Sequence, residues 1–390
     1  MDFQFSSEQQ QLNDSVQRLL DKHYDFEQRK ALAVSAAGHS PSVWAQMAEL
    51  GLHALPLPEA AGGFGGGAVD LQGVMDAFGK ALPLEPYVAT QIVAYILAAT
   101  VRTAEITSIL EGVASGERVL ALAHTEANSR YSLADVSASL EAKDGGFVLS
   151  GDKVVVLHAT QANGLVVSAK HAGKLALAWV DASHGLPAGM SLRSYRTVDN
   201  LRAADIKFTQ VKCAVLSINN QSKLSKTEHE LLEEAIDFAT VLQCAEAVGA
   251  LQFACDTTLE YLKTRKQFGA PIGSFQALQH RMVDMTISTE QSRSITTLAC
   301  AMFDEFTHGR LSARERKHFV SAAKIKVADA CRHVGQEAIQ LHGGMGMTQE
   351  MKISHTFKRL TMIAQSLGDA DFHLQRFAGL ARESETQKAA

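Results

Sequence analysis

The chain has 390 residues, enough for two or three domains and a large core. Its composition, 46% apolar and 20% charged, is that of a soluble globular protein. The formal net charge of −5 argues against a nucleic-acid role, which concentrates basic residues on one face. The densest basic patch, Arg314, Arg316 and Lys317, reads equally well as a solvated helix face.

From Ser6 to about Glu117 the apolar period is helical, with Leu12, Val16, Leu19 and Leu20 on one stripe and Ser6–Ser7 ahead of Glu8 as a helix start. Val43, Trp44, Met47 and Leu50 form a second stripe that ends at Gly51. Ala60 to Gly67 holds five glycines in eight residues. No strand precedes it and no Gly-Lys-Ser/Thr follows, so it reads as a surface turn and not as a phosphate cradle. Ile92 to Val101 is apolar but too short to span a bilayer, which takes ~20 residues. With a polar start lacking an apolar signal core, this predicts a soluble, cytoplasmic protein with no membrane partner.

From about Arg118 to Val215 the period becomes that of strands. Phe147-Val148-Leu149 and Val154 to Leu157 flank Ser150-Gly151-Asp152 and predict a hairpin there. Leu165 to Val167, Leu175 to Val180 and Ile206 to Phe208 read as further strands. From Lys226 onward long helices return, and Leu231 to Leu262 is apolar on most sides, as a helix buried in a bundle should be. Residues 1–117 and 226–390 are thus expected to form helical domains around a β domain at 118–215. The five cysteines, Cys213, Cys244, Cys255, Cys300 and Cys331, are scattered without metal-ligand spacing and are expected to be reduced and buried, with no metal site.

Two stretches in the last third carry most of the chemistry. The first runs from Tyr261 through Arg265, Gln267, Phe268, Gly269 and Pro271 to Phe275 and Gln276. It closes the buried helix with an arginine, breaks it at Gly269 and Pro271, and starts a new helix near Ser274. An arginine at such a junction can pair with a phosphate, and helix-start amides favour anions. The second is Gln340-Leu341-His342-Gly343-Gly344-Met345-Gly346, whose glycines let backbone approach a ligand closely. Either alone reads as an ordinary helix junction.

Together, at this separation, they resemble the acyl-CoA dehydrogenase family over nearly the whole chain. The fold implied is α+β, mainly α: an N-terminal helical domain, a central small β domain and a C-terminal four-helix bundle that binds FAD and oligomerises. The resemblance implies that Arg265, Gln267, Phe268, Phe275, Gln276, Gln340, Gly343 and Gly344 hold the ADP part of FAD across a subunit interface.

The sequence departs from the family on the flavin side. The aromatic-Cys-x-Thr-Glu-Pro-x-Ala-Gly-Ser motif becomes Leu122 to Tyr131, keeping Thr125, a cofactor contact, and Glu126 but losing the proline and the small residues. The Trp-Ile-Thr/Ser under the isoalloxazine becomes Val155-Val156-Leu157. Leu367 stands where the family's catalytic glutamate belongs, and the alternative base position falls on Ala239.

Two carboxylates remain as candidate bases. Glu246 lies amid apolar helix neighbours, which would raise its pKa as an α-proton base needs, or it pairs with an arginine or histidine of a neighbouring helix. Asp369, two residues after the lost glutamate, is the second candidate, with a contact to FAD ribose or backbone as its other reading. His280, His342 and His355 receive no role.

The reaction implied is α,β-dehydrogenation of an acyl-CoA thioester, with electrons passed to an electron-transfer flavoprotein. Kept ADP motifs beside an altered flavin side resemble the small subunit of heteromeric α2β2 dehydrogenases of steroid side-chain or dicarboxylate catabolism, of the pimeloyl-CoA dehydrogenase small-subunit type. The partner would be a paralogous acyl-CoA dehydrogenase subunit. The other readings are a self-sufficient homotetramer using Glu246 or Asp369, and a non-enzymatic helical binding protein on the same fold.

Overall fold

The computed structural model describes residues 5–219 and 227–389, with side chains described to Arg382. The expected start of the last domain at Lys226 lies outside the described residues. Six helices come first: α1 (Ser7–His23), α2 (Phe26–Val34), α3 (Pro41–Glu49), α4 (Ala68–Ala81), α5 (Tyr87–Ala98) and α6 (Ala104–Ala114). Seven strands follow: β1 (Leu120–Ala123), β2 (Ser139–Lys143), β3 (Gly146–Leu157), β4 (Gly164–His171), β5 (Lys174–Asp181), β6 (Met190–Arg196) and β7 (Arg202–Leu216). Then come α7 (Glu228–Thr264), a two-residue ribbon of β8 (Lys266–Gln267) and β9 (Ala270–Pro271), α8 (Gln276–Thr307), α9 (Ala313–His342), α10 (Lys352–Gln365) and α11 (Ala370–Ala389).

Helix α1 starts where the sequence signals it. Ser6 Oγ accepts from the Gln9 amide while the Gln9 side chain returns to the Ser6 amide, so two otherwise unpaired donors are satisfied. The chain packs as two compact units. One gathers residues 1–30, 68–83 and 240–390, with α8, α10 and α11 all packed on α9. Within it α4 and α7 cross in backbone contact. A Cβ on Gly79 would lie 1.9 Å from the Glu246 carbonyl oxygen, and one on Gly249 would lie 1.9 Å from that of Asp76. Only glycine permits that approach. Helix α7 is the one described helix long and apolar enough to cross a membrane, and 89% of that stretch is buried inside the protein.

The other unit, 31–67 with 84–239, contains the sheet. Strands β2, β3, β7, β5 and β4 close into a ring, β2 meeting β4 through the single pair Ser139–Lys170. Leu149, Leu165, Val167, Ile206, Phe208 and Val211 fill its interior. The hairpin expected at Ser150-Gly151-Asp152 is not there. Strand β3 runs straight through those residues, and the turn is the two-residue loop Asp144-Gly145, both with positive φ. Gly151 instead marks a register shift, where a Cβ would lie 2.7 Å from Ala138 Cα. Asp-Gly is the stronger hairpin signal, because both central residues of that turn type need left-handed backbone.

In this second unit the fully buried His53 donates Nε2–H to the Trp44 carbonyl at 3.1 Å and lies tilted against the Trp44 ring, centroids 3.9 Å apart, while Nδ1 has no partner. Burial therefore pushes its pKa down to about 4 from 6.5. The neutral ring favours the fold above pH 6.5, and that advantage is lost as pH falls from 6.5 towards 4, while the unfolded chain takes up the proton first. We expect His53 alone to cost about 3 kcal/mol of stability by pH 4. Melting temperature followed from pH 7 to pH 4 should fall less steeply in His53→Gln than in the wild type; parallel curves would refute this.

Candidate functional site

The first motif is built by the end of α7. The Arg265 amide donates to the Tyr261 carbonyl at 2.8 Å, completing the last turn, and the Arg265 carbonyl accepts from the Ile272 amide at 2.8 Å. Between them β8 and β9 pair across Phe268-Gly269, whose φ values are +56° and +81°. An aromatic residue in left-handed backbone is held against a cost of about 1–2 kcal/mol. Phe268 is also 92% exposed, touching the ring of the exposed Phe275 edge-on at 6.2 Å. Arg265, Gln267 and Gln276 are exposed, and among the described residues no carboxylate lies within ion-pair distance of Arg265.

The second motif is built by the end of α9. Gly343, with φ +60°, donates its amide to the Gln340 carbonyl, and Gln340 itself is exposed. A Cβ on Gly343 or Gly344 would meet nothing, so internal packing does not account for glycine at these two places, whereas Gly346 lies against the Ile339 carbonyl. His342 donates Nδ1–H to the Ala338 carbonyl at 2.8 Å, leaving Nε2 as an acceptor that is buried and unpartnered. Its ring stacks on Tyr261 at 4.5 Å. That contact brings the two motifs together.

In the strand-bearing unit the Thr125 carbonyl accepts from the Val154 amide at 2.9 Å. Beside it Glu126 accepts from the Ser137 amide at 2.7 Å, the Ala138 amide at 3.1 Å, the Ser137 hydroxyl and the buried Lys153 ammonium at 2.7 Å. Burial alone would raise the Glu126 pKa, but these donors outweigh it and hold the carboxyl at about 2. Lys153 also donates to the His124 carbonyl and to Ser168 Oγ, each at 3.1 Å. The sequence reading missed Lys153, because it assigned the adjoining residues to a turn. Its signal was a lysine directly ahead of the apolar run Val154 to Leu157.

Three positions that depart from the family pattern share one backbone property. Arg130, Val155 and Leu367 have φ of +48°, +53° and +57°. Val155 is 47% exposed at a bulge of β3, its amide donating to Asp205 Oδ1 at 3.1 Å. Asp205 also accepts from Tyr195 at 2.8 Å and from Arg193 at 2.5 Å. The Leu367 carbonyl accepts from His373 Nε2 at 3.0 Å.

Of the two candidate bases, Glu246 takes a bidentate fork from Arg359 of α10, at 2.6 and 2.7 Å, with both side chains buried. The arginine-paired alternative is the arrangement present. Asp369 caps α11, its Oδ1 accepting from the Phe372 amide at 2.8 Å.

Residues 6–117 match the description "Acyl-CoA dehydrogenase, N-terminal domain" and residues 230–379 match "Acyl-CoA dehydrogenase, C-terminal domain". The chain belongs to the acyl-CoA dehydrogenase family, whose members are FAD-dependent oxidoreductases. This sets aside the reading as a non-enzymatic binding protein. It is 28% identical to acyl-CoA dehydrogenase IpdE2 of Mycolicibacterium smegmatis over 95% of this chain and 98% of that one. A solved structure of the Tcur3481–Tcur3483 steroid ACAD matches with TM-score 0.85 and 28% identity over 97% of this chain and 99% of its own. The ChsE4–ChsE5 complex from Mycobacterium tuberculosis matches with TM-score 0.85 and 22% identity, over 98% and 99%, and shows the shared fold.

Left-handed backbone at Arg130 is disfavoured for any side chain carrying a Cβ. Arg130→Gly should therefore raise stability by about 1 kcal/mol, read as a shift of the denaturant midpoint. A midpoint equal to or below that of the wild type would mean that the arginine side chain itself holds the loop.

Proposed function

We propose that this chain is the small subunit of a heteromeric acyl-CoA dehydrogenase. In this reading it supplies the ADP-holding half of an FAD site, and a paralogous partner supplies the isoalloxazine pocket and the catalytic carboxylate. The observation that carries it is the contrast between the two ends of the site. Where the ADP would lie, Phe268 is held exposed in strained backbone, Arg265 has no carboxylate partner among the described residues, and Gly343–Gly344 presents bare backbone beside the unpartnered Nε2 of His342. These groups fit a diphosphate: a guanidinium for charge and amide dipoles at close range. Gln267, Phe275, Gln276 and Gln340 are the exposed side chains around them.

The flavin side of this chain supports no equivalent. Val155 offers no ring to stack and Leu157 no hydroxyl, so Thr125 stands there without its usual neighbours. Both carboxylates considered as bases are engaged, Glu246 with Arg359 and Asp369 at the start of α11. The reaction removes a proton from the α-carbon and a hydride from the β-carbon of an acyl-CoA thioester. FAD accepts the hydride when bound. The share assigned to this chain is to bind and orient that cofactor, with an electron-transfer flavoprotein as the onward acceptor. The similar steroid ACAD Tcur3481–Tcur3483 and the ChsE4–ChsE5 complex, each named for two proteins, lend weight to a two-chain enzyme.

Purified alone, the chain should carry little flavin; co-expressed with an intact paralogue it should form a complex holding about one FAD per heterodimer. A yellow homotetramer with one FAD per chain, active on an acyl-CoA, would instead establish the self-sufficient enzyme. In the complex, Arg265→Ala should weaken FAD retention about tenfold or more, through loss of a charge-assisted contact of ~1.5–3 kcal/mol. Unchanged flavin occupancy after dialysis would remove Arg265 from the site.

A further inference from the structure

Lys352 is the first residue of α10, at the end of a helix where the backbone dipole disfavours a cation. Its side chain is half-buried, with Nζ 4.4 Å from the centroid of the Phe253 ring of α7. Among the described residues no oxygen accepts a hydrogen bond from this Nζ, and no carboxylate lies within ion-pair distance of it. A second cation is packed nearby. One turn along the same face of α10, His355 Nδ1 accepts from Arg29 Nη1 at 3.0 Å, and the fully buried Arg29 also donates to the Leu82 carbonyl at 2.7 Å. His355 therefore carries its proton on Nε2, which donates to the Gln349 carbonyl at 3.2 Å, and its ring adds no charge of its own. Burial does most to lower the Lys352 pKa, Arg29 of α2 lowers it further, and Asp21 of α1 raises it by less, so that it is pushed down to about 8 from 10.5. The Phe253 face favours the ammonium and the helix end opposes it. Near pH 7 the free amine is then on the order of a hundred times commoner than on an ordinary lysine.

We propose that Lys352 is an acylation site, taking the acyl group of an acyl-CoA thioester onto its ε-amine. The free Nζ attacks the thioester carbonyl carbon. The N–C bond forms as the C–S bond breaks, and the departing sulfur takes up the proton that the nitrogen gives away. The products are an ε-amide and free CoA thiol, with no oxidant or reductant consumed. Thioesters of this class are what an acyl-CoA dehydrogenase meets, whichever subunit role this chain takes. The amide that results is neutral, so acylation removes a charge that burial, the helix end and Arg29 all oppose. Lys352 belongs to neither of the two FAD motifs, and its modification is read separately from flavin binding.

The test incubates the native assembly with acetyl-CoA, whose acyl group has no β-carbon and so cannot be dehydrogenated. Peptide mass spectrometry then follows acetylation at Lys352 against the exposed Lys207 and Lys212. A weaker base is also a weaker nucleophile, which takes back part of the gain in free amine. Near pH 7, Lys352 should still acetylate about tenfold or more faster than either reference lysine. Its rate should reach half its maximum near pH 8 and then level off, whereas an ordinary lysine goes on gaining up to about pH 10. A truncated thioester, S-acetyl-N-acetylcysteamine, reports whether the amine reacts when the bulk of the coenzyme is absent. Acetylation of Lys352 no faster than that of Lys207 and Lys212, or a rate still climbing beyond pH 9, would overturn the proposal. Transfer from the truncated thioester alone would overturn it as well, since the amine would then be closed to acyl-CoA.

Discussion

A 37-residue helix that is apolar on nearly every side cannot stand in water, and much of this molecule follows from covering α7. Its second half is so closely packed that α4 reaches it backbone to backbone through Gly79 and Gly249. The same helix ends at Thr264, so the position of Arg265 and the β8–β9 ribbon is set by the core rather than by a free loop. Tyr261, one turn before that end, stacks on His342 and ties the glycine segment to it. Groups meant to meet a ligand to within fractions of an ångström gain from such support.

The second theme is backbone strain without the usual side chains. Phe268 keeps left-handed backbone within an intact motif, while Arg130, Val155 and Leu367 do so where the expected side chains are gone. Each costs free energy, and each persists because hydrogen bonds around it fix the path of the chain, as Asp205 does for Val155 and His373 for Leu367. The left-handed path of the chain is thus kept at these positions although the residues there carry a Cβ.

Much of the architecture was legible in the sequence because it is locally encoded. The helical stripes, the apolar run of α7 and the two motifs at 261–276 and 340–346 are each contiguous in sequence. The hairpin was misplaced because Ser150-Gly151-Asp152 and Asp144-Gly145 both carry turn chemistry, and the pairing of β2 with β3 places the turn at the second. Closure of the sheet through β5 and β7 depends on contacts such as Leu177–Leu216, which leave no periodic trace. Partnerships between charges were the least visible. Lys153 stands 27 residues from Glu126 and Arg359 stands 113 from Glu246, and nothing local to either member names the other.

Those two buried pairs carry a consequence for how the sequence can change over generations. Removing one member of a buried pair strands a charge and costs about 3–5 kcal/mol, a large part of the ~5–15 kcal/mol that holds a typical domain together. Drift through either single substitution is therefore closed, and the pairs can leave only by a double change. Glu246 is in this sense a lock: a descendant that moved it into catalytic service would first have to find another home for the guanidinium of Arg359.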